Sequence, residues 1–199
     1  IMARDGDTGK VAWSVDVRMI EGRTTNRLFS SPALLDIDDN DRVEVLASIT
    51  DGSSHQLALF EPNITLSSSG YSYSSQAFFE DRVWLSTSGV IGPIIASTPT
   101  LYDISGDGIE DIIVGAGNRL FSYYGNNGTI NWFLEIGPVG ETIGTPAIYP
   151  GSGALRRIVV SSLPPDKSSL RTTVVNFQGL HLKNITVDPA PPPLVYTHV

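Results

Sequence analysis

The sequence predicts an all-β protein, and three features indicate this class. Short runs rich in Val, Ile, Leu, Phe and Tyr recur along the 199 residues. Gly, Pro, Ser, Thr and Asn separate these runs, so each has the length of one β-strand and is bounded by turn residues. No long stretch places apolar residues at helical spacing. The clearest predicted strands are 43–49, 56–60, 112–114, 119–124, 158–162 and 172–177.

The composition excludes several classes of protein. Hydrophobic residues make up 41% of the chain and charged residues 17%, which favours a folded core over disorder. The formal net charge of −8 argues against a nucleic-acid partner, which requires a basic surface. The chain has no cysteine, so disulfides and thiolate metal sites are excluded. No apolar run reaches the ~18 residues of a transmembrane helix, and we expect no transmembrane segment.

An internal repeat organises the predicted strands. Three units begin at a Ser-Pro or Thr-Pro pair: Ser31-Pro32, Thr98-Pro99 and Thr145-Pro146. Each pair precedes a turn-rich loop and then two apolar strands, predicted at 42–48 and 55–60, 110–115 and 119–124, and 157–163 and 171–177. A fourth strand carries a tryptophan at one repeat phase, as at Trp13, Trp84 and Trp132, for which we expect a packing role. The first unit is longer because of an insertion at about 62–80.

Units of four short strands with this period are typical of β-propeller blades. The predicted organisation is a partial blade at 1–17, three blades at 28–86, 97–135 and 145–187, and a Pro-rich linker or docking tail at 188–199. A closed propeller needs about four to eight blades. We therefore expect the region 1–187 to be an arc of a larger propeller; a β-sandwich with coincidental spacing is the alternative.

Two acidic loops occupy the same phase of the repeat. One offers oxygen atoms at alternate positions, namely Asp103, Ser105, Asp107, the Ile109 carbonyl and Asp111. The other offers Asp36, Asp38, Asn40, the Arg42 carbonyl and Glu44. Oxygen ligands at this spacing suit Ca²⁺, and a solvated acidic turn is the alternative interpretation. The third copy, 150–157, has no acidic residue, and we predict no metal there.

The motifs resemble two families of propeller repeats. The 103–111 loop with Ile112-Ile113-Val114-Gly115-Ala116 resembles the FG-GAP/VCBS repeats of integrin-α-like propellers, whose loops bind calcium structurally. The segment 5–13 is similar to the outer-strand turn of quinoprotein-like (PQQ-type) propellers, and 126–132 is a second copy of that turn. The first resemblance implies structural calcium, held by the residues of the two acidic loops.

Three Asn-x-Ser/Thr triplets favour an exported glycoprotein. They start at Asn63, Asn127 and Asn184, on predicted turns or blade edges. Asn63 and Asn127 also suit a purely structural role as turn formers.

The expected function is that of a non-enzymatic extracellular or cell-surface module for adhesion, surface-layer or filament assembly. Its partners would be proteins or glycans at the cell surface, or further copies of itself. We identify no catalytic or cofactor-binding side chains, since the three histidines do not cluster in sequence and no nucleophile motif is present. The alternatives are a fragment of a PQQ-type quinoprotein dehydrogenase, or a quinoprotein-like scaffold for protein assembly.

Overall fold

A computed structural model describes residues 2–14, 27–28, 30–37, 44–50, 55–60, 64–67, 70–73, 82–85, 97–166 and 169–187. These residues form antiparallel β-sheets and contain no α-helix, so the all-β prediction is confirmed. None of them forms a helix with the length and apolar character needed to cross a membrane. The tail at 188–199 lies outside the described residues.

The described residues form eighteen strands along the chain. They are β1 (Met2–Arg4), β2 (Val11–Ser14), β3 (Arg27–Leu28), β4 (Ala33–Leu35), β5 (Glu44–Thr50), β6 (His55–Phe60), β7 (Ile64–Ser67), β8 (Gly70–Tyr73), β9 (Arg82–Leu85), β10 (Thr100–Tyr102), β11 (Asp111–Ala116), β12 (Arg119–Tyr123), β13 (Ile130–Glu135), β14 (Thr142–Ile143), β15 (Ala147–Tyr149), β16 (Arg157–Leu163), β17 (Leu170–Val175) and β18 (His181–Val187).

Three larger sheets and two hairpins result from the pairing. Sheet I has the order β3-β5-β6-β9, with β4 also beside β5. Sheet II has the order β10-β11-β12-β13. Sheet III has the order β14-β16-β17-β18, with β15 also beside β16. The pairs β1-β2 and β7-β8 form separate hairpins. Neighbouring strands in each large sheet mostly follow one another in the chain, because short turns connect antiparallel strands.

Strand bounds agree with the sequence prediction where the apolar runs are sharply delimited. β6 and β16 have the predicted bounds. The strand predicted at 171–177 was wrong at its end. β17 ends at Val175, and Phe177 lies in the turn that follows. In that turn the Asn176 amide donates to the Leu180 carbonyl at 3.0 Å. The insertion expected at 62–80 contains the hairpin β7-β8.

Sheet II is packed on both faces. On one face Ile112, Val114 and Phe121 contact Leu46 and Leu59 of sheet I within one core cluster. On the other face a second cluster joins sheets II and III, and its buried members are Ile104, Ile113, Leu120, Ile136, Ile143, Ile158, Val160, Val175 and Phe177. All six residues of β11 are consequently buried. A strand covered on both faces loses the alternation of apolar and polar residues, and β11 reads as a nearly continuous apolar run for this reason.

One structural irregularity recurs in every large sheet and in the first hairpin. The pairing register is irregular near the end of the strand that pairs with the final strand of each unit. The irregularity lies between Ala3 and Arg4, Leu59 and Phe60, Ser122 and Tyr123, and Val174 and Val175. The residue opposite the first member of each pair is Trp13, Trp84, Trp132 or Lys183, respectively. The three tryptophans thus share one backbone position. The bulge occupies the same place in each unit. Bulges bend a strand and change its local twist, so each unit has the same bend at this point.

The outer turns of the first hairpin and of sheet II have the same backbone hydrogen bonds. In residues 5–10 the Asp5 amide donates to the Lys10 carbonyl and the Gly9 amide to the Asp5 carbonyl, each at 2.9 Å. In residues 124–129 the corresponding bonds run from Tyr124 to Thr129 at 2.9 Å and from Gly128 to Tyr124 at 2.8 Å. The two segments that resemble each other in sequence therefore fold alike.

Trp132 packs between sheets II and III, as expected for a structural tryptophan. It lies against the second core cluster, and its indole N–H donates to the Phe177 carbonyl at 2.9 Å. Its ring also covers Gly179, where a Cβ atom would stand only 2.7 Å from the indole. A buried indole needs a hydrogen-bond acceptor for its N–H, and the neighbouring sheet supplies it here.

Candidate calcium-binding loop

The 103–111 loop connects β10 to β11 in sheet II. Gly106 and Gly108 have φ angles of 85° and 89°. Side-chain-bearing residues rarely adopt these angles, so the two glycines allow the chain to curl tightly over the end of the sheet. The curl brings all five predicted ligand residues into one short surface loop.

The Asp103 carboxylate organises the outer part of the loop. Its Oδ1 accepts hydrogen bonds from the Gly106 amide at 2.6 Å and the Asp107 amide at 3.2 Å. Its Oδ2 accepts one from the Gly108 amide at 3.1 Å. A short acidic side chain that binds amides of the following residues stabilises a turn without any ligand. Asp103 therefore stabilises the turn through its own hydrogen bonds, without a bound ion.

Asp111 lies at the base of the loop and is fully buried. Its Oδ2 accepts hydrogen bonds from the amides of Ile104 at 3.1 Å and Ser105 at 2.8 Å, whereas Oδ1 has no hydrogen bond. Burial raises the pKa of this carboxyl, and the charge of Asp107 raises it further, against the lowering effect of the Ser105 amide and hydroxyl and the Gly125 amide. Positive charge beside Oδ1 would favour the ionised carboxylate and offset the desolvation.

Asp107 and Ser105 are exposed at the rim of the loop. Asp107 Oδ1 accepts a hydrogen bond from the Ile109 amide at 2.9 Å. Ile109 itself is half-buried and packs against the core cluster between sheets I and II, which anchors this side of the loop. The loop brings the oxygen donors together in one segment, but the part of the chain that the structure describes contains no cluster of three or more acidic or histidine side chains arranged to hold a metal ion.

The last acidic residue of the first acidic loop, Glu44, makes the same kind of hydrogen bond as Asp111. Glu44 is buried, and its Oε2 accepts a hydrogen bond from the Ile37 amide at 2.7 Å. Asp111 makes the corresponding bond to Ile104, also seven residues earlier in the chain. Asp36 is half-buried at the start of this loop. The other three predicted ligands, Asp38, Asn40 and Arg42, lie outside the described residues.

The third copy of the loop differs in chemistry. A 3-10 turn at Gly153–Leu155 replaces the acidic curl. Ordinary backbone bonds hold it, from the Leu155 amide to the Ser152 carbonyl and from the Arg156 amide to the Gly153 carbonyl. Arg156 and Arg157 follow, so this position of the repeat carries positive rather than negative charge.

Two of the three predicted glycosylation sites are exposed. Asn127 lies in the outer turn of sheet II, where its Oδ1 accepts hydrogen bonds from the Thr129 amide and hydroxyl at 2.8 and 2.7 Å. Asn184 lies on β18, the edge strand of sheet III, and its Oδ1 accepts a bond from the Thr173 hydroxyl at 2.8 Å. Asn63 is outside the described residues.

One buried ionic cluster was missed by the sequence analysis. Glu141 is 1% exposed and forms an ion pair with Arg171 at 3.2 Å. Its other oxygen accepts a hydrogen bond from the Ser162 hydroxyl. Arg171 lies 30 residues from Glu141, and no local motif marks the three residues as partners. Only the pairing of β14, β16 and β17 brings them together.

Comparison with models of known protein families, and with curated proteins, found no match to this chain.

Proposed function

We propose that this chain is an exported, non-enzymatic display module that serves adhesion, surface-layer or filament assembly. The observation that carries the proposal is the face-to-face packing of three sheets, with sheet II covered on both sides. Such a stack holds its connecting loops in fixed positions. Loops on a rigid scaffold are the usual contact sites of proteins, so partners would be proteins or glycans at the cell surface, or other copies of the chain.

We interpret sheets I, II and III as blades of a β-propeller, in keeping with the FG-GAP/VCBS resemblance. Supporting this interpretation are the meandering strand order, the recurrent bulge and the shared outer turn. The outer face of sheet III also supports it. Along β16 buried residues alternate with partly exposed ones, and Leu163 is exposed, whereas β11 is buried throughout. A further blade against sheet III would give it the same two-sided cover as sheet II.

We further propose that the 103–111 loop holds structural calcium. Its donors are oxygens, which Ca²⁺ prefers, and the buried Oδ1 of Asp111 lacks a hydrogen bond. The residues present therefore fit the ion in type, and Asp103, Ser105, Asp107, the Ile109 carbonyl and Asp111 would hold it. Two of these donors are exposed, and the carboxylates also bind backbone amides. We therefore expect a weak site, with a Kd of about 10⁻⁴ to 10⁻³ M, as in extracellular modules.

Calcium is expected to raise the thermal stability of the chain. At 10 mM calcium, about 10 to 100 times this Kd, a ligand that binds only the folded state adds about 1.4 to 2.7 kcal/mol to the free energy of unfolding. For a chain of this length that corresponds to a rise of about 3 to 10 °C in Tm. The measurement is a thermal melt in 10 mM CaCl₂ and in EDTA.

Two isosteric variants make this test specific. Asp107→Asn removes one charge from the loop but keeps an oxygen that can accept from the Ile109 amide, and it should reduce the calcium-dependent rise. Asp7→Asn removes a charge that is also exposed, from the outer turn of the first hairpin, and should leave the rise unchanged. Equal melts with calcium and EDTA would make the loop a plain acidic turn.

Export predicts both a location and a modification. In the native cell the protein should fractionate with the surface or the medium, and mass spectrometry should find glycan on Asn127 or Asn184, whose side chains are exposed. The matched variants Asn127→Gln and Asn184→Gln should each remove the glycan from that one position. An unmodified protein in the cytoplasm would contradict the display function.

An assembly scaffold is the second candidate, favoured by the outer turn that residues 5–10 and 124–129 share. This turn carries the similarity to quinoprotein-like propellers. A scaffold should co-purify with one protein partner in stoichiometric amount. A display module need not retain a partner through purification, and this difference separates the two functions.

A further inference from the structure

A cavity of about 440 Å³ opens beside the third copy of the loop. Its volume lies within the range of small-molecule sites. Ile104 of sheet II lines one side, and the segments around Gly153 and Phe177 of sheet III line the other. The cavity therefore lies at the junction of two packed sheets, where its walls are held by the core cluster.

The cavity combines an apolar floor with a basic rim. Ile104 and Phe177 are buried core residues, 6% and 4% exposed, and Leu182 adds an exposed apolar wall. Arg156 and Arg157 supply two guanidinium groups. The chain has a net charge of −8, so two adjacent arginines at a cavity stand out as a locally basic site.

Contacts within the cavity hold the basic rim in place. The Arg156 guanidinium lies 5.8 Å from the centre of the Phe177 ring. Stacking on a ring orients the guanidinium and leaves its in-plane N–H groups available as donors. Arg157 donates from Nη1 to the Arg156 carbonyl at 2.7 Å. Asn176, also at the rim, is fixed by bonds from the Gln178 and Leu180 amides to its Oδ1 at 3.1 and 2.8 Å.

We propose that this cavity binds a small organic anion: a carboxylate or phosphate group carried on an apolar body. The oriented guanidinium of Arg156 recognises two oxygens of such a group at once, in the geometry for which arginine is suited. The exposed Leu182 side chain contacts the apolar body, above the floor of Ile104 and Phe177. This binding activity goes beyond the display function, and the two arginines of the cavity lie outside the 103–111 loop.

The test is a titration of the full chain, at constant ionic strength, followed by amide chemical shifts. The probes are phenyl phosphate, phenylacetate, inorganic phosphate and the neutral benzyl alcohol. We expect saturable shifts at residues 153–157 and 176–178 with phenyl phosphate or phenylacetate, and at least tenfold weaker binding of inorganic phosphate and benzyl alcohol. The better of the two aromatic anions identifies the charged group.

Matched arginine variants test whether Arg156 carries the binding. Arg156→Gln should weaken binding of the aromatic anion at least tenfold. Arg119→Gln is the control, since Arg119 also stacks on a ring, 5.5 Å from the centre of Phe133, but lies outside the cavity. Equal effects of the two variants, no saturable shift by 10 mM, or inorganic phosphate bound as tightly as phenyl phosphate would each overturn the proposal.

Discussion

Gly125→Ala is expected to destabilise the protein by about 3 kcal/mol, at the upper end of the usual effect of overpacking a core. A Cβ atom at this position would lie 1.9 Å from the Glu110 carbonyl oxygen and 2.9 Å from Cδ1 of Ile37. The first contact is with backbone, so no change of side-chain rotamer relieves it. Either the outer turn of sheet II or the end of the 103–111 loop must move, and Tm should fall by about 6 to 12 °C.

Gly6→Ala is the matched control for this prediction. Gly6 follows Asp5 as Gly125 follows Tyr124, in the turn with the same pair of backbone hydrogen bonds. Nothing lies within 4 Å of a Cβ atom built at Gly6. The control should therefore melt within about 1 °C of the wild type. Similar melting of Gly125→Ala and the wild type would show that the turn is not packed against Glu110.

Arg171→Ala is expected to destabilise the protein by about 3 kcal/mol, because it leaves a carboxylate buried without its cation. Glu141 has a fully inaccessible side chain, and its ion pair with Arg171 measures 3.2 Å. Arg171 also donates to the Ile136 carbonyl at 3.4 Å. Since the Arg171 side chain is 29% exposed, we expect the lower end of the range for broken buried pairs. Urea unfolding measures the change.

Two further variants distinguish loss of charge pairing from loss of packing. Arg119→Ala breaks the 2.8 Å pair with Glu135, in which both side chains are largely exposed, and should cost about 1 kcal/mol or less. Glu141→Gln in the Arg171→Ala background removes the uncompensated charge and should recover part of the lost stability. No recovery in the double variant would assign the loss to packing of the Arg171 side chain instead.

The strands and their repeat were predictable because the information is local. β6 and β16 begin and end where apolar runs meet turn residues, and their bounds follow from these few positions. The end of β17 was not predictable in this way. In the sequence only Asn176 separates Phe177 from Val174 and Val175, but the pairing ends at Val175, after a register shift. Phe177 lies in the turn that follows and joins the second core cluster.

The candidate loop was predictable in position but not in the environment of its residues. The spacing of Asp103, Asp107 and Asp111 identifies all three as equivalent oxygen donors. In the structure Asp107 is exposed, whereas Asp111 is fully buried. The difference arises because β11 begins at Asp111 and is covered on both faces by neighbouring sheets. A nine-residue pattern contains no information about those neighbours.

The amino-acid sequence alone determined the all-β class, the phase of the repeat, the common position of the three tryptophans and the place of the acidic loops. These follow from residue types at short spacing, which set turns and strands locally. Only the tertiary structure decided which distant residues meet: Trp132 with Phe177 between sheets II and III, Glu141 with Arg171 within sheet III, and the Arg156 side chain with the Phe177 ring at the cavity. Such contacts join segments tens of residues apart, and they exist only once stacked sheets exclude water from the surfaces between them.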